Sequence, residues 1–147
     1  MFEKENEHII CIHKKASVGD SIILEEIQPT IMALRFHKLE KDPVLSEQQA
    51  KQFEKMIIEL YMSNPGAIFD YIIDGSRVSS SKSISPQARK FYKRVYGMPQ
   101  TGRIAYVGLG VWLKLMTGIF SHVVNRKSPT QWFQSETEAL AWLEKQV

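Results

Sequence analysis

The sequence predicts an α/β protein: a mixed, largely parallel sheet of five or six strands with about four helices. Three observations predict it. Three strand-like runs come first, and after them helical and strand-like runs alternate to the end of the chain, which is the order of a sheet covered by helices. Two of the later strand runs, AIFDYIID and RIAYV, are apolar almost throughout instead of alternating, as strands buried on both faces are. And 147 residues, 44% hydrophobic and 24% charged, are enough for one domain (1–147) with a proper core.

Each element has its own warrant. Residues 1–7 are polar and are expected to form a flexible end. His8–Lys14 (HIICIHK) reads as the first strand and KKASVGD as a turn. Ser21–Ile27 and Thr30–Phe36 are the next two strands, parted by Pro29, which has no N–H to give a ladder. Ser46 and Gln49 make an S-x-x-Q capping box. Ala50, Phe53, Ile57, Leu60 and Tyr61 follow at helical spacing, so the box predicts a helix over Glu47–Met62. Asn64-Pro65-Gly66 stops it. Ala67–Asp74 is a strand, central by its apolar density.

Gly75–Ile84 (GSRVSSSKSI) is a serine-rich loop. Ser85-Pro86 is an N-cap followed by proline at the first helical position. In the helix that follows, Ala88, Phe91, Tyr92 and Val95 face inward, and Arg89, Lys90, Lys93 and Arg94 face outward. Arg103–Val107 is a buried strand, Val111–Asn125 a helix, and Thr130–Phe133 a short last strand. Ser135 and Glu138 form a second capping box ahead of a helix carrying Ala139, Leu140 and Leu143 inward.

Charge is segregated along the chain. From Gly75 to Ser135 there are ten cations and no carboxylate, whereas nine cations meet sixteen carboxylates elsewhere. The basic part is suited to meeting an anion and poor in the carboxylates that acid–base enzymes use. One cysteine, Cys11, rules out an internal disulfide and is expected to be a small core residue. No apolar run approaches the ~20 residues of a membrane span, and MFEKENEH is no signal peptide, so a cytoplasmic protein is expected. His8, His13, His37 and His122 have no metal-ligand spacing. Asp70 and Asp74 lie on one strand face, ~13 Å apart at strand rise, too far for a carboxylate pair. Gly108-Leu109-Gly110 is a lone G-x-G, explained by a tight strand-to-helix turn.

The run IIDGSRV…SPQARKFY…RIAYVGLGVWLKLMTGIFSHVVN…PTQWFQSETEALAWLEKQ resembles the STAS-like proteins related to anti-sigma-factor antagonists (SpoIIAA-like), often grouped with Sec14-type lipid-binding folds. The closing F-x-[ST]-x-x-E-A-x-x-W-L pattern falls on Phe133, Ser135, Glu138, Ala139, Trp142 and Leu143. The resemblance covers roughly residues 30–146. It implies a small bacterial α/β domain that acts by protein–protein contact, with no catalytic residues and no cofactor. The founding branch is switched by phosphorylation where a central strand turns into a helix. That junction here is Asp74 to Ser85, and the compact D-S-[ST]-G turn is replaced by a longer loop and Ser85-Pro86.

Two surfaces are therefore candidate sites. Lys82, Ser83 and Ser85 lie at a helix N-terminus, where N–H groups and the dipole favour an anion or phosphate; for Ser85 the capping role is explanation enough. The second is an interaction surface made of Arg89, Lys90, Lys93 and Arg94 with Trp112, Leu113, Met116 and Phe120. The helix Val111–Asn125 carries more apolar residues than one face needs, so a homodimer or packing within the domain is expected. The expected function is a non-enzymatic regulatory or scaffold domain with a protein partner. The alternative is a binder of an anionic lipid or small apolar ligand. Nucleic acid is a weaker expectation, because no aromatic residues interleave the cations.

Overall fold

In the computed structural model of the protein, residues 15–78, 85–108 and 129–145 are described. Six strands form one sheet in the order of the sequence. These are β1 (Lys15–Val18), β2 (Ile22–Gln28), β3 (Ile31–Phe36), β4 (Phe69–Asp74), β5 (Thr101–Val107) and β6 (Thr130–Phe133). The pairs β1–β2 and β2–β3 are antiparallel, whereas β3–β4, β4–β5 and β5–β6 are parallel. Three helices lie among the described residues: α1 (Pro43–Ser63), α2 (Pro86–Tyr96) and α3 (Glu136–Glu144). The helix expected over Val111–Asn125 and the strand expected over His8–Lys14 lie outside the described residues.

Two local expectations are corrected. KKASVGD is not all turn. Lys15–Val18 pairs with Ile22–Glu25, and the reversal is confined to Gly19, Asp20 and Ser21. Gly19 takes the left-handed φ of 54° that a tight hairpin needs, and Ser21 closes the turn by donating from N and Oγ to the Val18 carbonyl at 3.0 and 2.8 Å. The first helix also starts earlier than its capping box implied. Asp42 is the N-cap, its side chain accepting from the N–H groups of Val44 and Leu45, with Pro43 at the first helical position. Ser46 is a buried residue inside the helix. Gln49 is taken up elsewhere, accepting from Glu40 N at 3.1 Å and donating to the Lys38 carbonyl at 2.8 Å.

Helices α1 and α2 cover one sheet face. Ile22, Leu24, Met32, Leu34, Phe36, Phe69, Tyr71, Ile73, Ile104 and Tyr106 point into that core, against Phe53, Ile57 and Leu60 of α1 and Phe91, Tyr92 and Val95 of α2. Rings of Phe36, Phe53 and Tyr92 meet at centroid separations of 5.1–6.3 Å. A line of hydroxyls crosses this core. Thr101 donates its proton to the Val95 carbonyl at 2.7 Å, so it accepts from Tyr61 at 2.6 Å, and Tyr61 in turn accepts from Tyr71 at 2.6 Å. Burial holds the Tyr71 and Tyr92 phenols well above their ordinary range.

The other face carries a smaller core of Ile31, Ile72, Ala105 and Val107, covered by Ala139 and Leu143 of α3. So short a helix buries little, and arginines from the sheet secure both of its ends. Arg103 of β5 donates to the carbonyls of Trp142, Leu143 and Lys145 at 3.4, 2.7 and 3.1 Å, where the helix leaves its carbonyls unpaired. Its guanidinium also lies 5.6 Å from the centre of the Trp142 ring. At the start of α3, Glu136 receives Arg35 of β3.

Candidate functional site

The C-terminal ends of the parallel strands are where open α/β sheets offer a crevice for ligands. Here that end is occupied by one arginine among three carboxylates. β3 and β4 pair Arg35 with Asp74 in register, and alternation turns both side chains toward α3. Arg35 Nη1 lies 3.2 Å from Asp74 Oδ2, Nη1 and Nη2 lie 2.8 and 3.2 Å from the two oxygens of Glu136, and Nε lies 3.3 Å from Glu25 Oε1. The hydrogen bond to Glu136 leads in raising the Arg35 pKa above its ordinary value, with Glu25 contributing.

Asp74 also builds the loop that follows β4. Its Oδ1 accepts from Ser76 N at 2.9 Å and Ser76 Oγ at 2.7 Å. The loop lies close to the end of β5, where Gly108 has φ 107° and a Cβ would sit 3.2 Å from Ser76 N. Ser85 caps α2 as expected: its Oγ accepts from Ala88 N at 3.1 Å, and the residue is buried. Ser135 caps α3 in the same way, accepting from Glu138 N at 3.2 Å. Lys82 and Ser83 lie outside the described residues, as do Trp112, Leu113, Met116 and Phe120.

The basic helix face is present, but it is not free of acid. Arg94 makes a two-pronged bond to Glu54 of α1, at 2.7 and 2.9 Å, and that bond raises its pKa. Its guanidinium lies 4.6 Å from the centre of the Phe91 ring. Lys90 on α2 and Lys51 on α1 each place Nζ 5.9 Å from the same ring centre. Arg89 and Lys90 are exposed and Lys93 half-buried. Arg103, a second cation of the basic stretch, is likewise held by a carboxylate of the other half. Asp70 Oδ2 accepts from its guanidinium at 2.9 Å, and Asp70 Oδ1 from its backbone N at 2.7 Å.

This arrangement limits the chemistry. Asp70, Asp74, Glu136 and Glu54 each use both oxygens on arginine or on the turn beside them, so none of these four is free to serve as a general base. Among the described residues no group of three His, Cys, Asp or Glu could hold a metal ion, and no helix is long and apolar enough to cross a membrane. Surface clefts of about 340 to 460 Å³ lie beside the β1–β2 turn, the loop before α1 and the end of α1, whereas the apolar gap between α1, α2 and the sheet, lined by Leu34, Phe53, Ile57, Tyr71, Tyr92 and Ile104, among others, measures about 30 Å³. That is room for roughly one water, about a tenth of the smallest ordinary ligand pockets.

Sequence reasoning missed Arg35, Arg103, Lys51 and Glu54. For the two arginines a signal existed: each is the lone charge in an apolar strand run, and a charge there needs a partner. Lys51 and Glu54 had no signal, because their role depends on how α1 and α2 lie together.

Comparison with known proteins places the chain. The family model DUF7793, a domain of unknown function, matches residues 36–147. The chain belongs to the DUF7793 family. The matched stretch runs from the end of β3 through all three described helices. A comparison with curated proteins gives no match. Among solved structures, this DUF7793 chain is similar to an uncharacterised DUF3478-family protein with a SpoIIAA-like fold from Shewanella loihica PV-4. Identity is 19%, the TM-score is 0.55, and the alignment covers 89% of this chain and 94% of that one. At that identity the likeness concerns the fold, and the fold is SpoIIAA-like, as the resemblance implied.

Proposed function

We propose that this DUF7793 protein is a non-enzymatic regulatory or scaffold module that acts by contact with another protein. One observation carries the reading. The carboxylates at the ligand-binding end of the sheet are consumed by Arg35 and by the Ser76 turn, so this end is built as a braced surface and not as a reaction site. The fold neighbour supports the architecture alone.

The test is affinity purification of the tagged protein from its source cell, paired with a screen for hydrolysis of phosphate, carboxylic and glycosidic esters. A stoichiometric protein partner with no turnover is expected. Turnover that disappears on Asp74→Asn, with the melting temperature unchanged, would overturn the reading.

A further inference from the structure

We propose that the seam between α1 and α2, centred on Phe91, is a docking surface for an acidic segment of a partner protein. The inference rests on the protein-contact reading above and assigns that contact a place and a chemistry.

Helix α2 has four cations, Arg89, Lys90, Lys93 and Arg94, and no carboxylate. Helix α1 adds Lys51 and Lys55 on its exposed side. Against these, α1 supplies three carboxylates: Glu47, 3.9 Å from Lys51, Glu54, which grips Arg94, and the exposed Glu59, one turn after Lys55. Neither Lys90 nor Lys93 bonds a carboxylate among the described residues. Three of the cations crowd one aromatic ring from two helices. Glu47 and Glu54 offset two of these three charges, and the excess positive charge left by Lys90 and the neighbouring Lys93 would attract an incoming carboxylate. Arg94 is fixed by its two-pronged bond to Glu54 and stacked on Phe91, so the centre of the surface is pre-organised and an arriving chain has less to order.

The surroundings favour a protein over the other polyanions. A membrane-binding face needs exposed apolar side chains beside its cations. The exposed large apolar residues described are Val44, Leu45, Met62 and Ile68, and none belongs to the cation cluster. Single-stranded nucleic acid needs open aromatic faces for its bases, whereas Phe91 is buried beneath the cations that surround it.

A fluorescein-labelled peptide of alternating Glu and Asp is the probe, titrated at about 50 mM NaCl, where surface charges are weakly screened. The wild type is expected to bind it, Lys90→Glu/Lys93→Glu to bind about tenfold more weakly, and Lys38→Glu/Lys41→Glu, on the loop before α1, to match the wild type. Equal losses in both double variants, or no binding by the wild type, would overturn the surface. If the variant reversed at Lys90 and Lys93 still captures the same cellular partner as the wild type, the surface is wrong and the contact reading stands. If the wild type binds phosphatidylserine vesicles and neither peptide nor protein, both fall.

Discussion

Gly102 shows how much one side chain can decide. It sits in β5 beside the irregular register of β4 between Phe69 and Tyr71. A Cβ there would overlap Asp70 Oδ1 and come within 2.9 Å of the Phe69 carbonyl and of Ile68. Asp70 is the carboxylate that aligns Arg103, so it cannot give way without loss. Gly102→Ala is expected to cost about 2 kcal/mol by overpacking, measured by urea unfolding; a change below about 0.5 kcal/mol would show that the strand relaxes freely. The buried phenols give a second prediction at this scale. Tyr71 and Tyr92 ionise near the ordinary tyrosine value in the unfolded chain and well above it when folded. The folded state therefore holds their protons more tightly. Their contribution is fully present below about pH 10 and is lost as pH rises beyond it. Melting temperatures should fall steeply above about pH 10, and less so in Tyr92→Phe. A flat profile to about pH 11.5 would contradict the burial argument.

The elements were legible to different degrees. β6 was read to the residue, and α2 and α3 with their serine caps, because Ser-Pro and S-x-x-E are local instructions that nothing nearby opposes. At α1 two instructions compete. Asp42-Pro43 and Ser46-x-x-Gln49 each describe a helix start. The first prevails because Asp42 reaches two N–H groups while Gln49 is drawn to the loop backbone at Lys38 and Glu40. Lys15–Val18 was read as turn because KASV becomes a strand only through its pairing with β2, which a local pattern does not contain. A lone charge in β5 signals that Arg103 has a partner but not that the partner is α3, which lies 39 to 42 residues away. Arg103→Ala removes those bonds and leaves Asp70 half-buried without its cation. A loss of about 2 kcal/mol is expected, between that of an exposed and a fully buried pair. Amide exchange should quicken in α3 well before α1. Uniform quickening across all three helices would show that α3 unfolds only with the whole.

At the scale of the molecule, segregation of charge along the sequence is only partly segregation in space. Glu54 and Asp70, from the acidic half, come to rest on Arg94 and Arg103 of the basic half. Both pairs join elements that the chain order separates. Among the described residues, what survives beside the exposed Arg77 is the α1–α2 seam, enlarged by Lys51 and Lys55, which the charge pattern had assigned to the other side. On the α3 side the ends of β3 and β4 are closed by Arg35 and its three carboxylates, whereas Lys82 and Ser83 of the expected anion site lie outside the described residues. The contact account therefore depends on where a partner touches the protein. Amine-reactive crosslinking in the source cell, read out by mass spectrometry, reports this directly, because lysines lie on several faces. Crosslinks to a partner are expected to concentrate on Lys51, Lys55, Lys90 and Lys93. Concentration on Lys38, Lys41 and Lys145 instead, or no crosslink to any second protein, would contradict the account.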